Sequence, residues 1–396
     1  ADQGAPATAS YIGSASAGAP ITLELAGFCA ALWQEIAPPL TGFPEEALEV
    51  AAEAFIEAET ANADGLKALC LAYMGLYNVA LGRVEEGAEQ QDLAAAIALS
   101  GKADAVTGAL IYCNILWTCR NTADWGRAQQ WSAGFETWCS ASFAVSTGTC
   151  DLHRAEVTGA QESLADALKG INDAIAKLTE EEGWALGDGY RIRGDLQAMI
   201  GNLDAARADF EKAYAVGWDG EPGNAVLLAE AGEIDAALAA LDRTLSGTTW
   251  FHLQRRLWIK AHKAWIAARN ERPEIARKTL DDIGTEISDV TGTLPSVHAM
   301  VAEAQAQLKN EDEPDRMRLL LLARQLWTAA GFGFHEARLR VEIAVRLQEA
   351  GDFHGARCQL DAAEHIARRI GSGRILGLVT GARFAASSDP TAARTQ

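Results

Sequence analysis

Ten, six and three residues ahead of three successive turn positions, the chain places Cys113, Trp117 and Arg120, then Thr149, His153 and Glu156, then Arg191, Asp195 and Ala198. An indole, an imidazole and both signs of charge on one face of neighbouring helices can form a polar and aromatic pocket for a small molecule or a peptide. The same offsets are plainer on either side, with Ala72, Leu76 and Val79 before and Val341, Val345 and Gln348 after. A second reading of "HRAE" stands beside this one: Arg154 and Glu156 solvated on a helix surface, and His153 hydrogen-bonded locally.

Catalytic chemistry finds less support. Cys150 and His153 lie one helical turn apart, as a nucleophile and its base would, but nothing nearby in sequence supplies an oxyanion site. The chain contains no G-x-S-x-G elbow, no H-E-x-x-H, no P-loop and no C-x-x-C pair. His335-Glu336 lacks a second histidine four residues on, so it reads as helix surface rather than a metal site. The acidic run Glu311, Asp312, Glu313 and Asp315 lacks the glycine and terminal glutamate of a calcium loop and reads as a solvated turn. Trp131 and Trp138, seven residues apart, read as core packing, and so do Trp250, Trp258 and Trp265. The expectation is a binding protein that is not an enzyme and needs no metal or cofactor.

Helices must position these residues. Apolar residues recur at three and four positions, Ala, Leu and Glu abound, and no stretch alternates with the period of two that strands require. A small residue shortly after each turn, where the two helices of a hairpin come closest, falls at Ala47, Gly87, Ala128, Ala167, Ala206, Ala237, Ala276 and Ala356. The gaps are 40, 41, 39, 39, 31, 39 and 80, and the last, twice the period, predicts a hidden unit near Arg316. A period of about 40 with a helix, a turn and a helix in each unit predicts an all-α, right-handed α-solenoid of about nine helix-turn-helix units, because one hairpin cannot bury its apolar face alone. The pattern is that of tetratricopeptide repeats (TPR), lengthened from their usual ~34 residues. Residues 1–20, rich in Ala, Ser and Gly, read as a flexible leader, 21–371 as the solenoid, and 372–396 as a capping helix and flexible tail.

Four motifs in order sharpen the comparison: Tyr112-Cys113, then Arg127-Ala128-Gln129 with Trp131, then Trp138-Cys139, then Cys150 with His153-Arg154-Ala155-Glu156. With them, residues from about 60 to 371 resemble the TPR region of bacterial LuxR-type transcriptional regulators and related cyclase-linked signalling proteins. The resemblance implies a signal-sensing region that recognises a partner segment or effector. Those regulators usually end in a DNA-reading helix-turn-helix. The 25 residues after Gly371 are too few for one, so no DNA-binding domain is expected.

A net charge of −20 opposes direct binding to nucleic acid or to anionic membranes. Seven scattered cysteines among apolar neighbours suit reduced thiols and a cytoplasmic location. The partner class is then a protein, a peptide or a small effector held in the concave groove. The alternative is a stand-alone small-molecule binding or sequestering protein. Ile366 and Ile370, on the last clear helix, are expected to need covering, by a helix from "RILGLVTGARFAA" or by a second copy in a homodimer.

Overall fold

The computed structural model describes residues 44–388, apart from 143–147, 182, 184, 248–251, 289, 293 and 311–313. The leader 1–20, Trp250 and the acidic residues 311–313 lie outside the described residues.

The described chain is helical, beginning with α1 (Pro44–Thr60) and continuing through eight hairpins. These are α2 (Asp64–Ala80) with α3 (Val84–Ile97), α4 (Ala105–Thr122) with α5 (Trp125–Ser142), α6 (Gly148–Gln161) with α7 (Leu164–Glu180), and α8 (Leu186–Ile200) with α9 (Leu203–Ala215). Then follow α10 (Gly223–Glu230) with α11 (Ile234–Ser246), α12 (His252–Arg269) with α13 (Pro273–Ile287), α14 (Pro295–Gln307) with α15 (Pro314–Ala330), and α16 (Gly333–Glu349) with α17 (Phe353–Ile370). A last helix, α18 (Gly373–Ser388), packs on α16, α17 and α8. This is an all-α solenoid of TPR-like repeats.

The spacing of apolar side chains explains each layer. On α7, Leu164, Ala167, Ile171, Ala174 and Leu178 form one buried stripe at intervals of three and four. The small residues predicted at the hairpin crossings are buried from Gly87 through Ala356. At the crossing of Gly75 and Gly87 the backbones come so near that a Cβ on either would strike the other's carbonyl oxygen. The irregular gap of 31 has its cause in α10, which at 8 residues is the shortest helix of the array. The hidden unit is α14 with α15, and buried Arg316 stands where other hairpins carry alanine, with its guanidinium on Gln307 at 3.3 Å.

Periodicity did not disclose the closure of the superhelix. Five hairpins separate α2 from α12, and at that interval the chain returns onto itself. Gln254, at the start of α12, donates to the Val79 carbonyl at the end of α2. Thr291 N donates to Gly82 O at 2.8 Å and Val84 N to Thr291 O at 3.0 Å. Ser296 Oγ reaches Ala123 O at 3.3 Å beyond α4, Arg369 reaches Gln161 O at 3.0 Å at the end of α6, and Ser372 Oγ reaches Met199 O at 2.6 Å near the end of α8. Gly331, just before α16, also lies against Gln161, so α12, α14, α16 and α18 each begin where a first-turn helix ends. That satisfies C-terminal carbonyls and sets helix dipoles head to tail. Ile366 and Ile370 need no second copy to cover them, since both approach Gly333 on α16 and Ile370 is buried.

Candidate functional site

Between the two superhelical turns lies a cavity of about 280 Å³. Its first wall comes from α4, α6 and α8. Arg120 donates to Glu156 and to Asp188 (2.9 Å), and its third nitrogen meets His153 Nδ1. Arg191 donates to Asp188 (2.8 Å), Asp195 (2.8 Å) and Glu156 (3.1 Å). Both arginines are nearly sequestered, with side chains 6% and 9% exposed. Two cations thus serve three carboxylates.

The protonation pattern follows from that imbalance. Asp188, which both arginines grip, is held well below the usual carboxylate range although burial pushes the other way. Asp195 has Arg191 alone as a close partner, and burial drives its carboxyl up to about 7. With Asp195 protonated, the network of Arg120, Arg191, Glu156 and Asp188 is neutral. His153 is pushed far below its normal value by burial and by Arg120, so it is a neutral ring accepting at Nδ1, stacked with Trp117 at 6.5 Å.

The second wall comes from the next superhelical turn: Gln254, Trp258 and His262 on α12, then Phe332, Phe334 and His335 around the start of α16. His335 stacks on Trp327 at 4.4 Å and meets Phe332 edge-on at 4.6 Å, while Trp258 meets His262 edge-on at 4.3 Å. Burial lowers His262 to about 4 and holds His335 well below its normal value, so both rings are neutral. Behind them Glu303, fully buried, accepts from Trp327 Nε1 (2.6 Å) and pairs with Arg338 (2.6 Å). The loop before α10 closes one side with Trp218, Asp219, Pro222 and Gly223, and Asp219 pairs with Arg255. Gly223 is required there, because a Cβ would collide with the Asp195 carboxylate and the Phe210 ring.

Of the residues singled out in sequence, Trp117, Arg120, Glu156, Arg191 and Asp195 line the cavity, as does Ala198. Cys113, Thr149 and His153 do not. α6 runs on to Gln161, so the turn after it starts about three residues later than the assumed position, which put Thr149 and His153 nearly a helical turn too far from the cavity. His153 keeps an indirect part through Arg120 and Trp117. Cys113 sits beside Cys150, and this contact, with burial, raises its thiol well above the ordinary value. Arg120 occupies Nδ1 of His153, and Cys150 is engaged with Cys113.

Three readings are corrected across the two walls. Trp258 lines the cavity rather than packing only in the core, His335 belongs to the aromatic cluster rather than to a helix surface, and Glu156 is ion-paired rather than solvated. Trp138 does pack in the core, against Tyr112 at 5.8 Å. Asp188 was missed although it lies three residues before Arg191, a spacing that puts both on one helix face. The plainer positions Val341 and Val345 line a second, more open hollow of about 710 Å³, where Arg269 and Arg338 each stand 5.0 Å from Trp265. Among the described residues no group of three potential ligands is placed to hold a metal, and no helix is long and apolar enough to cross a membrane.

No known protein family matches the chain, and no curated protein matches it in sequence. Solved structures similar to it include the apo form of the quorum sensor NprR from B. thuringiensis, at 13% identity over 85% of this chain and 98% of that one, with a TM-score of 0.47. Another is a monomeric IFIT1 mutant with m7Gppp-AAAA, at 12% identity over 75% of this chain and 68% of that one, with a TM-score of 0.39.

Proposed function

We propose that this chain is a non-catalytic sensing module that holds a small effector in the cavity between its two superhelical turns. One observation carries the reading: the walls come from both turns, Trp117, Arg120 and Asp195 from the first and Gln254, Trp258 and His335 from the second. A molecule that touches both walls favours the closed arrangement over any opened one, and by linkage its occupancy sets how firmly the turns meet. The motif resemblance to the TPR region of LuxR-type regulators supports a sensing role in a bacterial cytoplasm. There the pitch of the solenoid would pass the signal to a partner or an attached domain. A volume of about 280 Å³ suits a small effector better than a long peptide, which needs an extended groove. The stand-alone binder uses the same cavity and differs only in having nothing to report to.

Native mass spectrometry of gently purified protein tests this reading. The expected result is an added small mass that is lost in Trp258→Ala and in Trp117→Ala, one variant on each wall. A bare chain mass together with capture of a protein partner by the outer surface would contradict it.

A further inference from the structure

The polar atoms around the cavity are unevenly engaged. All three nitrogens of Arg120 and all three of Arg191 already meet partners within the first wall. Arg255 is paired with Asp219, and Arg374 with Glu230 and the Ala198 carbonyl. Acceptors remain. Asp195 accepts at Oδ2 and Asp219 at Oδ1, which leaves the other oxygen of each carboxylate without a hydrogen bond among the described residues. Gln254, only 1% exposed, has no partner for its Oε1.

Resting on the cavity reading above, we propose that the ligand carries a cationic group, a protonated amine or guanidinium, on an apolar or aromatic body, with the cation at Asp195 and the body against Trp258 and Phe332. A cation gains the open carboxylate oxygen and the ring faces together. An anion would meet arginines whose charges are already paired with Glu156, Asp188, Asp195, Asp219 and Glu230, and would have to compete with those carboxylates. The neutral His262 and His335 offer it no charge. The indole N–H of Trp125, a buried donor without a partner on the same cavity, suits a carbonyl or hydroxyl elsewhere on the ligand.

Protons give this assignment its signature. Facing Asp195 are Arg191 and Asp188 on its own helix, Glu156 from α6 and Arg255 from α12. In that setting its carboxyl is half-protonated near neutral pH. A bound cation favours the ionised form, so binding releases a proton to solvent below about pH 7 and none well above it.

Isothermal titration calorimetry of the full chain, in two buffers of different ionisation enthalpy, tests this with 2-phenylethylamine, 2-phenylethanol and 3-phenylpropionate. The amine is expected to bind at least about tenfold tighter than the other two, the margin of a charge-assisted hydrogen bond. It should release most of a proton at about pH 6 and almost none at about pH 9. Asp195→Asn should remove both the preference and the proton release, while Asp219→Asn keeps the proton release. Equal or tighter binding of the alcohol or the carboxylate, without proton release, overturns the cation assignment and leaves the cavity reading standing. Binding of none of the three overturns it as well, and the native mass then decides separately whether the cavity holds a molecule.

Discussion

The two walls of the cavity are built on opposite principles. The first is an ion-pair lattice on three successive helices, in which each charged group is held by its neighbours and Asp188 is the hub. The second is an aromatic cluster, Trp258, Trp327, Phe332 and His335, with buried Glu303 behind it as a polar anchor. A lattice of charges fixes position and direction, because every partner removed leaves another charge bare in a low-dielectric space. An aromatic wall accepts a range of shapes and contributes area. The contrast assigns orientation of the ligand to the first superhelical turn and capture of its body to the second.

Breaking the hub should have the largest effect on stability. Asp188→Ala leaves Arg120 and Arg191 each short of a carboxylate, and about 3–5 kcal/mol of unfolding free energy should be lost in a urea titration. On the other wall Trp258→Ala removes a half-buried ring that faces the cavity. It should cost less stability than Asp188→Ala while abolishing the ligand mass. If Trp258→Ala proved the more destabilising of the two, the division between framework and capture would be reversed.

Gly223→Ala sharpens the comparison at their junction. The new Cβ displaces the Asp195 carboxylate or the Phe210 ring, and overpacking of this kind costs about 1–3 kcal/mol. Measured by thermal unfolding, the loss should shrink when Asp195→Ala is added, since the nearer of the two collision partners is then gone.

A separate effect, read as a difference between pH values rather than at one pH, lies in the pH profile. Asp195 has a folded value of about 7, above the ~3.9 of an unfolded aspartate, so the native state binds more protons between those limits. Stability from this group is present at low pH and is lost as pH rises from about 4 to about 7, then stays constant. Asp188, depressed in the folded state, acts in the opposite sense and only at the acid end. Relative to wild type, Asp195→Asn should therefore gain stability as pH rises through that window. Parallel profiles would show that Asp195 is ionised in the empty cavity. Smaller again, Ser372→Ala removes the seam hydrogen bond to Met199 O and the bond that Ser372 Oγ accepts from Ile375 N, and should cost about 1–2 kcal/mol, read as a shift in the denaturation midpoint.

Much of the first wall was legible because its logic is local. A helix places residues three, four and seven apart on one face, so the offsets from each turn led to Trp117, Arg120, Arg191 and Asp195 without any tertiary information. The count failed by about three residues on α6, where a longer helix moved the turn and carried Thr149 and His153 away from the cavity. The second wall was not legible at all. Trp258 and His335 matter only because α12 and α16 land on the ends of α2 and α6, and the pitch that brings them there is the sum of small rotations over five hairpins. One short helix, α10, changes that sum. Repeat length predicts the solenoid, but the step from a one-sided groove to a cavity walled by two turns depends on side chains such as Gln254, Ser296 and Ser372 that are unremarkable in sequence.

Closure of the second turn on the first is the claim from which the cavity, its occupant and its signal all follow. Amide hydrogen exchange at Val84 and Thr291, whose N–H groups bridge the two turns, tests it most directly. The account predicts that both amides exchange slowly and lose protection together, in one opening event that leaves the hairpins intact. Rapid exchange at both, while amides inside α2 and α14 stay protected, would mean an open solenoid and would contradict it.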